Sequence, residues 1–291
     1  MLPAQAETTL PAYGSLRRRL AGAWRHGPRS FLTQLYRIAR ATETLLYRYP
    51  KAAEWKEGDL RYFEASVYSQ NGEDGIIEEI FRRLKIERGV FVEIGAEWGM
   101  ECNCARLARE EGWSGYFIEG DPRVFEGLKA NYRAFPNVTC INAWVTADNI
   151  EALLAAHGVP SEPQLLTIDI DGNDYWVWRS IEAWRPMVVA VEYNASYPPP
   201  QRWVMARNDE HVWKGTSYFG ASLASLEALG ESKGYSLVGT DSRGVNAFFV
   251  RSDLFDPGLF LVEGAAYHYS PPRYGFFGRG HRRVNGPFEA I

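Results

Sequence analysis

Between Val90 and Gly99 the chain reads Val-Phe-Val-Glu-Ile-Gly-Ala-Glu-Trp-Gly, and no other stretch constrains the fold as much. An apolar run ends in Glu93, Gly95 permits a tight turn, and Gly99 opens a helical segment. About twenty residues later, Tyr116-Phe-Ile-Glu-Gly-Asp-Pro122 ends a second apolar run in an acid, Glu119. This is the first half of a nucleotide-type βαβ unit, in which an acid closing the second strand accepts hydrogen bonds from ribose hydroxyls. A dinucleotide fingerprint needs G-x-G-x-x-G to seat its pyrophosphate on the helix N-terminus. Here Ala96 replaces the middle glycine, and acidic Glu97 lies where the pyrophosphate would pass. The loop therefore suits S-adenosylmethionine, which has a cationic sulfonium and no phosphate. An NAD-dependent oxidoreductase is the weaker alternative.

The 291 residues allow one large α/β domain plus an extension. A net charge of −4 argues against nucleic acid as a partner, because phosphate neutralisation needs a basic surface. Three cysteines without C-x-x-C pairs indicate neither a disulfide framework nor a zinc site. They fit a reducing cytoplasm. No apolar run approaches the ~18 residues of a membrane span, and no signal-peptide core is evident.

From residue 70 the pattern alternates strand and helix, which implies a mostly parallel sheet covered on both faces. Predicted strands run 90–94, 116–119, 138–142, 165–169 and 187–193. Amphipathic helices lie at 73–84, 103–111, from Pro122, and from Ile150. A long excursion, 194–218, precedes a helix at 222–229. Two last strands, 235–238 and 245–250, flank Thr240-Asp-Ser-Arg-Gly244, a strand–turn–strand signal. The expectation is a Rossmann-like α/β fold with a seven-stranded, mostly parallel sheet and an antiparallel last strand.

Three parts are expected: a helical extension over 1–68, the main domain over 69–262, and an aromatic, basic tail over 263–291. Up to residue 50 the extension has eight arginines, no lysine and only two acids, Glu7 and Glu43. Apolar residues recur at helical spacing from Phe31 to Leu46. It reads as an assembly element of a homo-oligomer, or as a basic face that visits a membrane surface or an anionic glycan.

With these pieces placed, the chain resembles the FkbM family of S-adenosylmethionine-dependent O-methyltransferases. The resemblance rests on Tyr68-Ser-Gln-Asn-Gly-Glu-Asp-Gly75, Ile168-Asp-Ile-Asp-Gly-Asn-Asp-Tyr-Trp176 and Gly215-Thr-Ser-Tyr-Phe-Gly220, and it spans roughly 68–254. It implies a class I methyltransferase fold and methyl transfer to a hydroxyl, often on a sugar or another polar metabolite. It also implies that Gln70 and Asn71 help to close the cofactor pocket. Glu93, Gly95 and Gly99 are expected to shape the methionine end of that pocket, with Glu93 near the amino group. Glu119 is expected on the ribose, with Ala143 and Trp144 against the adenine. Asp121 reads as a helix cap.

In an open α/β sheet the ligand crevice lies beyond the carboxyl ends of the strands. Asp169 and Asp171 end the fourth strand, and Glu192 and Asn194 end the fifth, at period two. Such an oxygen set is either a hydrogen-bonding cage for a polyol and the cofactor amino group, or a site for Mg²⁺ or another hard divalent cation. The second option, with Asp169, Glu192 and Asn194 as ligands, is similar to catechol O-methyltransferase. It departs from that pattern because Tyr193 separates Glu192 from Asn194. The hydroxyl proton needs an acceptor, and Asp171 and His211 are the candidates. Trp213 and the segment 215–220 read as an aromatic wall, and Asp241 and Asn246 as acceptor contacts or turn residues. The remaining alternative is a non-catalytic glycan-pathway scaffold.

Overall fold

The computed structural model describes residues 55–274 and 280–291. The predicted helix over 30–49, with its assembly and membrane readings, lies outside the described residues.

In chain order the helices are α1 (Glu73–Leu84), α2 (Ala105–Arg109), α3 (Pro122–Tyr132), α4 (Ile150–Ala156), α5 (Asp174–Ser180), α6 (Leu223–Ser232) and α7 (Ala265–His268). The strands are β1 (Val90–Ile94), β2 (Ser114–Glu119), β3 (Val138–Asn142), β4 (Leu165–Ile168), β5 (Val188–Glu192), β6 (Val204–Met205), β7 (Tyr235–Thr240), β8 (Asn246–Arg251) and β9 (Phe288–Glu289). Seven of them form one sheet in the order β3-β2-β1-β4-β5-β8-β7. All run parallel except β8, which enters antiparallel between β5 and β7. The predicted sheet and its antiparallel last strand are therefore present.

Period-two alternation assigns the strand residues to two cores. Phe91, Leu165, Val188 and Phe248 pack with Ile76, Ile80, Leu107 and Leu128 of α1 to α3. Val92, Leu166, Val189 and Phe249 pack with Ile150, Leu154, Val177 and Leu226 of α4 to α6. The same parity carries Glu93, Asp169 and Glu192, at the carboxyl ends of β1, β4 and β5, and Asn246, at the amino end of antiparallel β8, to the α1 side. Strand order reverses between β1 and β4, so the crevice opens at their ends.

Residues on both sides of the expected main domain pack against it. Residues 55–68 belong to the domain: Leu60 is buried against Gly239 of β7, and Glu64 accepts hydrogen bonds from Ser242 N and Oγ. The charged, aromatic composition around Asp59-Leu-Arg61 conceals this, because the buried Asp59–Arg61 ion pair neutralises itself at 2.7 Å. The tail is also built in. Tyr193 Oη donates to the Ser270 carbonyl, and β9 pairs with β6 inside the excursion. No described helix is long and apolar enough to cross a membrane.

Candidate functional site

The turn after β1 is pressed against the end of β4. Gly95 has φ +86°, and a Cβ there would stand 1.7 Å from the Asp169 carbonyl oxygen, so only glycine fits. Glu97 follows in the left-handed region at φ +49°. Its amide donates to Glu119 Oε2 at 2.9 Å, while the Asp121 amide donates to Oε1 at 2.7 Å. Glu119 thus ties the two turns that bracket the expected ribose position. Burial, then Glu119 and Glu101, push the Glu97 carboxyl above its usual range. Asp121 caps α3 through the amides of Arg123 and Val124, as its sequence position predicts.

Beside this turn the Ala143 amide donates to the Glu119 carbonyl at 3.0 Å, and the Trp144 ring lies over Gly120. Trp144 is about half exposed, and its Nε1 donates to the Asp209 carbonyl at 2.7 Å. The surface expected to hold adenine therefore lies beneath the excursion. Gly99, at φ +64°, leaves room for Tyr132 and Leu128. Gln70 is exposed, whereas its neighbours Ser69 and Asn71 are consumed in the start of α1.

The Glu93 carboxylate is buried and accepts from the amides of Asn103 (2.8 Å) and Cys104 (2.9 Å). These amides lead into α2, so Glu93 holds the entry to that helix.

Asp169, Asp171 and Glu192 bring one carboxylate oxygen each to within 4.8 Å of one another. Among the described residues, none of the three is ion-paired to Lys or Arg within 4.0 Å. Burial raises the Asp169 carboxyl, and Asp171, Asp174, Glu93 and Glu73 raise it further. Asp171, at φ +53°, is pushed up to about 7 by burial, Asp174 and Glu97. Glu192 is raised by burial and then by Asp169 and Asp171, and its Oε2 is buried without a partner. Directly opposite Glu192 across β5–β8 sits Asn246, 2% exposed, with Oδ1 equally without a partner. Asn246 Nδ2 donates to Glu73 Oε1 at 3.1 Å.

Asn194 does not join this group. Its Nδ2 donates to the carbonyls of Ser217 (2.9 Å) and Phe219 (2.8 Å), and its Oδ1 accepts from Ser196 N. It fastens the excursion, so the oxygen set becomes Asp169, Asp171 and Glu192. Asp174 accepts from the amides of Ile170 and Gly172 and shapes the turn after β4. Asp241 accepts from the amides of Arg243, Val245 and Asn246 and closes the β7–β8 turn.

The excursion closes over these acids. Asn173 and Asn208 exchange side-chain-to-backbone bonds in both directions, and Arg207 bridges Asp148 and Asp209. His211 lies against Gly172, hydrogen-bonds the Asp171 backbone, and keeps Nε2 buried without a partner. Burial, then Lys214, lower its pKa below the usual histidine value. Tyr218 stands edge-on to His211 at 5.8 Å. The tail adds two residues that sequence reasoning missed. His281 packs on Trp213 (4.6 Å) and on Tyr274 (4.8 Å), whose hydroxyl is buried without a partner. Tyr274 is raised by burial, then by Glu192 and Asp241. The only sequence signal for either was the tail's aromatic density.

The strand order, with β8 alone antiparallel, is that of the Rossmann-like class I methyltransferase fold. No family model matches this chain, and no curated protein does. Among solved structures it is similar to M. jannaschii TYW2 in complex with AdoMet, at 18% identity over 68% of this chain and 78% of that one, TM-score 0.34. It is also similar to the N-terminal domain of EvdMO1 with SAH bound, at 14% identity over 65% and 81%, TM-score 0.41. A third is a putative sarcosine dimethylglycine methyltransferase from Galdieria sulphuraria, at 12% identity over 60% and 63%, TM-score 0.39. Likeness at this distance carries no functional argument, which rests on the chain's own residues.

Proposed function

We propose that this protein is an S-adenosylmethionine-dependent O-methyltransferase of FkbM type, acting on a hydroxyl of a saccharide or related polar metabolite. One observation carries the reading. At the carboxyl ends of the strands Asp169, Asp171 and Glu192 converge beside the Glu97–Glu119 turn, and among the described residues none of the three is ion-paired to Lys or Arg. Such a crevice repels a pyrophosphate and attracts a sulfonium. Bound there, S-adenosylmethionine supplies an electrophilic methyl group. The chain's residues hold the ligand, exclude water beneath the excursion, and accept the hydroxyl proton at Asp171 or at the unpartnered Nε2 of His211.

Calorimetry with S-adenosylhomocysteine and with NAD tests this reading. S-adenosylhomocysteine binds, and Glu119→Ala weakens it by ~1–3 kcal/mol, the scale of lost charge-assisted hydrogen bonds. Binding of NAD alone overturns the proposal. Binding of S-adenosylmethionine without turnover on any glycan would favour the scaffold.

The reading extends to a divalent cation, Mg²⁺ or Ca²⁺, on Asp169, Asp171 and Glu192, with Asn246 Oδ1 adjacent. It is supported by the 4.8 Å convergence of the three acids and by the two orphaned oxygens beside them. Hard cations take such oxygens, and a cation there would lower the pKa of an acceptor hydroxyl. Activity is expected to fall on EDTA treatment and return with Mg²⁺. If it survives chelation and His211→Ala abolishes it, the acids form a hydrogen-bonding cage and His211 is the base. The free cysteines Cys102, Cys104 and Cys140 favour a cytoplasmic setting.

A further inference from the structure

At the edge of the sheet opposite the carboxylates, where α5 and α6 end and β7 begins, lies a cavity of about 560 Å³. Ile181 and Leu229 form part of its wall, together with the rings of Tyr175, Trp184 and Tyr235. Two of these rings commit their polar ends elsewhere. Trp184 Nε1 donates to the Val159 carbonyl at 3.1 Å, and Tyr235 Oη to the Pro186 carbonyl at 2.8 Å. Trp184 is half-buried, whereas Tyr235 is 4% exposed and packs on Trp178, so the ring open to the cavity is that of Trp184.

Its cations divide into two kinds. Lys233 Nζ is fixed on the carbonyls of Ile181 (2.5 Å) and Arg179 (3.3 Å), an ordinary use of a cation at a helix C-terminus. Arg179, Arg185 and Arg202 line the same space, and none of them is ion-paired to a carboxylate among the described residues. Glu182 is the only acidic side chain in the lining. Helix ends account for Lys233 but do not require three guanidinium groups around one hollow. Such groups repel one another unless an anion joins them, and their planar fork matches phosphate oxygens. The half-buried Trp184 ring beside them suits a flat base or a sugar ring.

We propose that this cavity binds a small organic phosphate, with the phosphate on Arg179, Arg185 and Arg202 and the attached ring against Trp184. The site stands apart from the cofactor crevice, so it does not depend on the methyl-transfer reading.

Calorimetry on the full chain with uridine diphosphate, and with inorganic pyrophosphate, is the test. The proposal expects uridine diphosphate to bind at submillimolar concentration and more tightly than pyrophosphate. The double variant Arg185→Gln/Arg202→Gln alters exposed side chains, and its thermal melt should match the parent's. It should weaken binding about tenfold or more, the loss of at least one charge-assisted contact. Saturating S-adenosylhomocysteine should leave the affinity unchanged. Absence of binding, binding indifferent to the double variant, or competition by S-adenosylhomocysteine each overturns the proposal. So does variant-sensitive binding to phosphatidylglycerol vesicles without binding of uridine diphosphate, because that assigns the arginines to a lipid headgroup.

Discussion

Gly95 and Gly158 both hold left-handed backbone, at φ +86° and +67°, but their surroundings differ. A Cβ on Gly158 meets nothing within 4 Å, so Gly158→Ala should destabilise only by the conformational strain of ~1–2 kcal/mol. A Cβ on Gly95 collides with the carbonyl oxygen of Asp169, a backbone atom of a residue held by its own amide's hydrogen bond to the Ile94 carbonyl. Gly95→Ala should therefore lose ~3 kcal/mol or more, on the scale of strain plus overpacking. Urea denaturation of the two variants side by side checks this, and equal midpoints would show that the turn yields. At this scale the sequence was readable where a residue's partner is a near neighbour. Asp121 caps the helix beginning at the next residue, as expected. Glu93 and Asn194 have partners that the sequence does not name, the amides of 103 and 104 and the carbonyls of 217 and 219, which lie 10 to 25 residues away along the chain. An acid or amide at a strand end advertises a need for partners without naming them.

Among the elements, α7 holds the feature that most depends on long-range packing. His268 is 1% exposed there, with the Glu263 backbone as a weak polar contact to its ring. Asp59, Arg61 and Glu263 surround it, yet burial dominates and lowers its pKa to about 4. The unfolded chain thus takes up the proton first, near pH 6.5, so the stability this histidine allows is complete above that pH. It declines as pH falls towards 4, by up to about 3 kcal/mol. Thermal melting between pH 7.5 and 4.5 should show this decline for the parent and a shallower one for His268→Leu. Identical slopes would place the acid sensitivity elsewhere. The longer elements were legible, since periodicity and caps are local: β1, β3 and α1 have the predicted bounds. The short β6–β9 pair was not, because two-residue strands carry no period and their partners lie 83 and 85 residues apart.

For the whole molecule, the sequence contrasts an arginine-rich first segment with an acidic crevice in the main domain. Apolar residues recur at helical spacing between Phe31 and Leu46, and an isolated helix of that length would be marginal in water. Removal of residues 1–50 is therefore expected to change the oligomeric mass measured by light scattering. Unchanged mass with loss of liposome binding would assign the segment to a membrane surface instead. What the sequence determined by itself was the βαβ order, the glycine turn after β1 and the antiparallel closure, because strand period, glycine position and turn residues act within a few residues of one another. Tertiary structure alone decided which oxygens meet. Parity and strand order bring Asp169, Asp171 and Glu192 together with Asn246, turn Asn194 away to the excursion, and carry Tyr274 and His281 in from the tail. These groups are neighbours only once the sheet is complete, and burial without counter-charge then gives them their chemistry.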